Sequence, residues 1–90
     1  MAKKRERLEV IRDILKVVNE SGNSIKPTPL LRKSNMSTKR FNEYFTELQK
    51  KELVKEIITK KGKEISLTEK GMQYLNKYSI IKEFVNEFGL

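Results

Sequence analysis

The fold of this 90-residue chain is decided by residues 34–51, whose sequence is SNMSTKRFNEYFTELQKK. Residues 34–37 predict a turn, and Ser37 is well placed to cap a helix that continues to about Lys51. Four apolar side chains of that helix fall within about 100° of arc on a helical wheel, namely Phe41, Tyr44, Phe45 and Leu48. Because the opposite side is polar and basic, the stretch predicts a turn followed by a helix with one core face and one exposed cationic face.

The residues before this stretch predict two more helices. Apolar side chains recur at helical spacing over residues 4–20, as Leu8, Ile11, Leu15 and Val18, and the segment Ser21-Gly22-Asn23 ends this first helix. A short second helix is expected from about Pro29 to Lys33, with Thr28 as its N-cap. Two helices joined by a four-residue turn, the second with a polar outward face, are typical of a helix-turn-helix unit.

The hydrophobic period changes after Leu53. Residues 54–59 and 64–68 are short β-branched runs on either side of the segment Lys60-Lys61-Gly62-Lys63. This pattern predicts a hairpin with a basic tip. Thr68 can then cap a last helix that begins at Glu69 and continues nearly to the C terminus.

The last helix has two apolar faces. Met72 and Leu75 define one, and 3-4 spacing defines the other through Gly71, Tyr74, Tyr78, Ile81, Val85 and Phe88, with Ile80 and Phe84 at its margin. No partner for the second face is evident in the chain, so we predict a homodimer formed by the last helices. Its expected interface is Tyr74, Tyr78, Ile81, Phe84, Val85 and Phe88. The alternative is that this face packs over the first helix within one chain.

Composition excludes several functional classes. The chain has no Cys and no His, which excludes disulfide scaffolds, zinc fingers, thiol proteases and Ser-His-Asp hydrolases. It lacks a Gly-rich phosphate loop and a catalytic pair of carboxylates, so we expect no enzyme, no cofactor and no metal. No apolar run approaches about 18 residues, and we therefore expect a cytoplasmic protein without a membrane span. No cluster of polar residues predicts a small-molecule effector.

The charge is distributed unevenly along the chain. Twenty Lys and Arg against twelve Asp and Glu give a net charge of +8. The whole surplus lies in the first seventy residues, and residues 71–90 are neutral. One strongly basic region beside a neutral apolar one is what a dimer bound to a DNA duplex requires, because phosphates supply most of the affinity.

The segment Leu67-Thr68-Glu69-Lys70-Gly71 is the most specific motif. Together with Met36-Ser37, the apolar positions of residues 41–48 and Leu53-Val54, it resembles the archaeal winged helix-turn-helix group over residues 5–88. In that group a wing and a long helix that starts L-T-E-K-G follow the recognition helix. Lys51-Glu52 stands where the group often has Gly.

The resemblance implies a mainly helical α+β fold and a single domain. Its winged helix-turn-helix body covers residues 1–70, with a basic N-terminal arm, and its long C-terminal dimerisation helix covers residues 69–90. The implied function is sequence-specific or architectural binding of double-stranded DNA. The protein would be a homodimeric transcription regulator or a chromosomal protein of the nucleoid. The alternative is a winged-helix module for protein–protein assembly without direct DNA binding.

Candidate DNA contacts lie on three parts of the chain. The helix over residues 38–51, expected in the major groove, offers Ser37, Thr38, Lys39, Arg40, Asn42, Glu43, Thr46 and Lys50. Arg40 and Asn42 lead as base-edge contacts, because their forked groups match guanine and adenine. Hairpin 59–64, the wing, offers Lys60, Lys61 and Lys63 for the backbone, and further backbone candidates are Lys3, Lys4, Arg5, Arg32 and Lys33.

Overall fold

The computed structural model describes residues 3–90, with side chains from residue 7 onward. Its elements are α1 (Lys3–Glu20), α2 (Pro27–Ser34), α3 (Thr38–Lys50), β1 (Val54–Thr59), β2 (Gly62–Leu67) and α4 (Glu69–Phe88). The order of elements and the mainly helical α+β class are confirmed. The side chains of Lys3, Lys4 and Arg5, candidate backbone contacts, lie outside the described residues.

The core forms where α1, α2 and α3 meet the inner face of the hairpin. Its buried side chains are Ile11, Ile14, Leu15, Val18, Ile25, Leu30, Phe41, Leu48, Leu53, Val54, Ile65 and Leu67. Tyr44 and Phe45 are half-buried against it, and the Phe41 and Phe45 rings stack with centroids 5.6 Å apart. The predicted apolar face of α3 therefore belongs to the core, as expected, and its polar face is left outside.

The hairpin pairs from Val54 with Leu67 to Thr59 with Gly62. Ile25 forms an isolated β-bridge on the other side of β2, since it exchanges backbone hydrogen bonds of 3.1 and 2.7 Å with Ile65. β2 begins two residues earlier than predicted, so the tip consists of Lys60 and Lys61 alone. Gly62 makes this short turn possible, because its φ of +109° is rarely adopted by other residues.

Helix α2 is longer than predicted, and its expected cap is wrong. It begins at Pro27, its N-cap is Lys26, and no side chain caps it. Thr28 instead lies inside the first turn, between two prolines. Pro residues are tolerated there because N–H groups in the first turn have no partner within the helix. The helix ends at Ser34, followed by Asn35 in the left-handed conformation at φ 57°.

Helix α3 ends in a Schellman motif. The Leu53 N–H donates to Leu48 O at 2.9 Å, and the Glu52 N–H donates to Gln49 O at 3.0 Å. Glu52 therefore adopts φ 60°, a left-handed conformation in which Gly is usual. Glu52 therefore keeps the turn at a cost in backbone strain.

Gly71 lets the start of α4 pack closely against the backbone of Leu53, between α3 and β1. A Cβ at this buried position would lie 2.2 Å from the Leu53 carbonyl oxygen. Thr68 caps the helix by accepting from the Gly71 N–H at 3.1 Å, and its own hydroxyl donates to Glu52 O at 2.5 Å. Gly71, which the 3-4 spacing aligns with the second apolar face, is instead buried by this close approach of two backbones.

Candidate nucleic-acid interface

The outward face of α3 collects the predicted recognition residues. Ser37 caps the helix as predicted, accepting a hydrogen bond from the Arg40 N–H at 3.2 Å. Exposed side chains follow along the helix as Thr38, Lys39, Arg40, Asn42, Glu43, Thr46 and Lys50. Lys39, Thr46 and Lys50 lie opposite the buried Phe41 and Leu48, so they form the centre of this face.

Arg40 and Asn42 lie on opposite flanks of α3. The Arg40 guanidinium lies 5.9 Å from the centroid of the Tyr44 ring, and Arg40 lines a cleft with Asp13 and Val17 of α1. Asn42 is seven residues before Gln49, whose side chain donates to Glu56 of β1 at 3.2 Å. Arg40 is thus on the α1 flank and Asn42 on the wing flank, which favours Asn42 as the base-edge contact nearer the wing.

Glu47 is a supporting residue that the sequence did not single out. Its carboxylate pairs with Arg7 of α1 and with Lys51 at 3.0 Å. The pairing with Lys51 follows from i,i+4 spacing on a helix. The pairing with Arg7 spans forty residues, and nothing in the local pattern predicts it. Glu47 holds α3 against α1, so it positions the recognition face without belonging to it.

The three lysines predicted as wing contacts, Lys60, Lys61 and Lys63, are all exposed. Lys63 Nζ lies 3.6 Å from Glu56 Oε1 on the neighbouring strand, whereas Lys60 and Lys61 occupy the tip. The wing is anchored by Glu64, whose carboxylate accepts from the hydroxyl of Ser24 and, at 3.1 Å, from that of Thr59. The Ser24 hydrogen bond is the main cause that lowers the pKa of Glu64, with help from Thr59 and nearby lysines.

Arg32 and Lys33 are exposed in the last turn of α2, where cations suit the helix dipole. Arg32 also lines a shallow pocket at the junction of α2 and α3. The other lining residues are the polar Thr28, Asn35, Ser37 and Thr38 and the apolar Leu31 and Met36. Sequence reasoning treated Thr28 only as a cap and missed its place beside the start of α3. The basic surface therefore extends from α2 across the N-terminal end of α3.

Comparison with known families agrees with this geometry. A winged helix-turn-helix family model matches residues 4–86. The chain belongs to the winged helix-turn-helix family. Comparisons with curated proteins and with solved structures gave no match. Domains of this family typically bind DNA and catalyse no reaction. In this chain α3 is the second helix of the helix-turn-helix unit, and β1–β2 form the wing.

Among the described helices of this winged helix-turn-helix protein, none is long and apolar enough to cross a bilayer. Over the same described residues, no group of three or more acidic, His or Cys side chains is placed to hold a metal ion.

The first half of α4 docks on the winged helix-turn-helix body. The Tyr74 hydroxyl donates to Leu8 O of α1 at 3.0 Å, and burial raises the pKa of Tyr74. Arg12 of α1 lies over the Tyr78 ring, 5.2 Å from its centroid. Tyr74 and Tyr78 of the predicted dimer interface thus pack over α1 of the same chain. For these two residues the alternative prediction, packing within one chain, describes the structure.

The second half of α4 remains uncovered. We call residues 80–90 the α4 tip. Its apolar side chains are exposed: Ile80 (63%), Ile81 (60%), Phe84 (53%), Phe88 (62%) and Leu90 (78%). Beside them a groove of about 440 Å³ runs between α4 and α1, lined by Leu8, Tyr78, Ile81, Val85 and Leu90 among others. The tip therefore combines an exposed apolar ridge with an adjacent apolar groove.

Proposed function

We propose that this protein binds double-stranded DNA as a homodimeric transcription regulator of the nucleoid. Helix α3 enters the major groove, and the wing contacts the adjacent backbone. The observation that carries the proposal is the uncovered polar face of α3, flanked on one side by the lysine wing and on the other by Arg32 and Lys33. This basic surface complements the phosphates of a duplex, which supply most of the affinity of such proteins.

The proposed DNA contacts are of two kinds, base edges and phosphates, according to where each side chain lies on the surface. Asn42, Lys39 and Thr46 are placed to meet base edges, since they lie on the exposed face between the helix N terminus and the wing. The remaining cations meet phosphates: Lys50, Lys60, Lys61, Lys63, Arg32 and Lys33. Arg40 contacts the duplex from the α1 flank, and the cap residues Ser37 and Thr38 offer hydroxyl groups to a phosphate.

The dimer is supported by the area of the uncovered apolar surface. Leu8 and the five exposed apolar side chains of the α4 tip are between 48 and 78% exposed. At roughly 200 Å² for a fully exposed large side chain, they offer roughly 700 Å² per chain. A standard protein interface buries about 800 Å² per partner. A second copy therefore supplies the right amount of surface, and residues 71–90 carry no net charge that would repel it.

The experiment is a titration of a random-sequence duplex by fluorescence anisotropy over a range of salt concentrations. Lys61→Ala is compared with Lys77→Ala, which removes the same charge from α4. We expect Lys61→Ala to flatten the slope of log affinity against log salt by about one unit for each wing on the duplex. Lys77→Ala keeps the slope. Absence of duplex binding at low salt would contradict the proposal and favour an assembly module that binds another protein.

A further inference from the structure

Ile58 is an exposed apolar side chain of the wing, and its neighbours are lysines. It is 79% exposed, more than any other large apolar side chain described. Its cross-strand partner is Lys63, and the tip residues Lys60 and Lys61 follow it closely in the chain. Single exposed apolar residues are common on protein surfaces, so position rather than exposure has to carry the argument.

The alternation of strand β1 shows which way Ile58 faces. Val54, Glu56 and Ile58 lie on one side of the strand. Val54 is buried in the core, and Glu56 accepts a hydrogen bond from Gln49 in the last turn of α3. Ile58 therefore extends the side of the wing that faces the recognition helix, beyond the last contact between them. On that side the wing meets the same partner as α3.

The strand itself makes an exposed isoleucine costly. β2 lies between Ile25 and β1, so β1 is the edge strand of the small sheet. Proteins usually protect such edges with charged side chains, because an apolar edge promotes aggregation. Thr would satisfy the same β-branched preference of a strand without exposing an apolar side chain. An apolar surface at this position fits a partner that covers it.

We propose that Ile58 inserts into the minor groove beside the site of α3 and packs against the deoxyribose walls. The inference rests on the proposed DNA-binding function. The neighbouring Lys60, Lys61 and Lys63 complement the phosphates that border the groove, and proteins that bind the minor groove frequently insert apolar side chains, Ile among them, into it. This contact releases no counterions. It adds affinity that is independent of salt, unlike the contacts of the lysines.

The test compares Ile58→Thr with the wild type in duplex titrations over a range of salt concentrations. We expect Ile58→Thr to bind about five-fold more weakly at every salt concentration, with the slope of log affinity against log salt unchanged. Met72→Gln, which changes an exposed apolar residue of α4, serves as the control and binds like the wild type. Ile58→Thr keeps a β-branched side chain, so we expect its wing to fold as in the wild type. Thermal unfolding of the variant checks this.

The outcomes separate this inference from the proposed function. If the wild type binds duplex DNA and Ile58→Thr binds equally well, or if its loss flattens the salt slope, the minor-groove contact is wrong and DNA binding stands. A duplex with uracil in place of thymine lacks only the methyl groups of the major groove. The effect of Ile58→Thr should persist on it; disappearance of the effect would place the contact in the major groove and overturn the proposal.

Discussion

The winged helix-turn-helix body (residues 1–70) and the α4 tip (residues 80–90) use the same apolar residue types in opposite ways. In the body, Ile14, Leu15, Val18, Leu30 and Leu48 are completely buried. In the tip, isoleucine and phenylalanine side chains are more than half exposed. The difference arises because α4 continues past the elements that cover its first half. Burial follows from close packing against a facing element, and at the tip α1 and α4 leave an open groove between them instead.

The two regions also differ in charge. The body carries the whole basic surplus of the chain, whereas the tip has one Lys against two Glu and carries the uncovered apolar surface. A DNA surface and an assembly surface are therefore separated along one molecule. Changes in the body should affect folding or DNA binding, whereas changes in the tip should affect assembly first.

The largest expected effect is on the joint between body and α4. Gly71→Ala places a Cβ against the Leu53 carbonyl, which cannot move without shifting the end of α3. We expect a loss of about 3 kcal/mol in the free energy of unfolding, as for severe overpacking. The melting temperature should fall by roughly 10–20 °C. Gly89→Ala, in open space at φ 69°, should cost about 1 kcal/mol. Equal effects of the two changes would contradict the close backbone approach.

The next largest effect is expected on dimerisation, from substitutions in the α4 tip that leave the body folded. Ile81→Asp with Phe84→Asp puts two charges into the proposed dimer surface, where burial without partners is costly. Sedimentation should show a monomer, with a dissociation constant at least about 100-fold higher and an unchanged helical circular-dichroism spectrum. Asn76→Asp with Ser79→Asp adds the same charge to other exposed positions of α4 and should leave a dimer. A wild type that already sediments as a monomer would contradict the assembly surface.

A smaller effect, of opposite sign, is expected at Glu52. Glu52→Gly removes the strain of a left-handed non-glycine residue in the Schellman motif of α3. Glycine also raises the conformational entropy of the unfolded chain, which offsets part of the released strain. The free energy of unfolding measured in urea should therefore rise by about 0.5–1 kcal/mol. Lys51→Gly changes the preceding residue, at φ −88°, and should lower stability. If Glu52→Gly also destabilises, the strain is not released by glycine.

The smallest effect concerns the anchor of the wing. The pKa of Glu64 is lowered in the folded protein, chiefly by the Ser24 hydroxyl, so its stabilising contribution is present above the ordinary pKa and is lost as the pH falls through the folded value. Ser24→Ala should melt at a lower temperature than the wild type at pH 7. The difference should narrow between pH 5 and pH 3. A difference that stays constant with pH would show that the ionised carboxylate plays no part.

The parts of the fold that depend on local pattern were predictable. Apolar spacing gave α1 and α3, a β-branched run gave β1, and Thr68 marked the start of α4. The wrong predictions are also local. The sequence predicts Thr28 as the cap because Pro29 suits the first position of a helix, but Pro27 suits it equally and α2 begins there. The sequence predicts Gly62 in the hairpin tip, whereas it is the first residue of β2. Such boundaries depend on hydrogen bonds that a sequence does not display.

The contacts that hold the site together were less predictable. Arg7 meets Glu47, and Gly71 meets Leu53, only because the folded chain brings distant residues together. Gly71 did carry a signal, since glycine in the first turn of a helix is unfavourable unless something approaches closely. Nothing local distinguished Arg40 from Asn42 as a base contact, because their flanks are set by the positions of α1 and the wing.

In the proposed dimer, the apolar α4 tips join two basic bodies on one duplex. The most direct measurement is the salt dependence of duplex binding for the wild type and for Ile81→Asp with Phe84→Asp. A dimer that contacts six or more phosphates should give a log-log slope of about −5 or steeper, and the monomeric variant about half of that. Equal slopes for the two proteins, or no binding by the wild type at low salt, would contradict the claim.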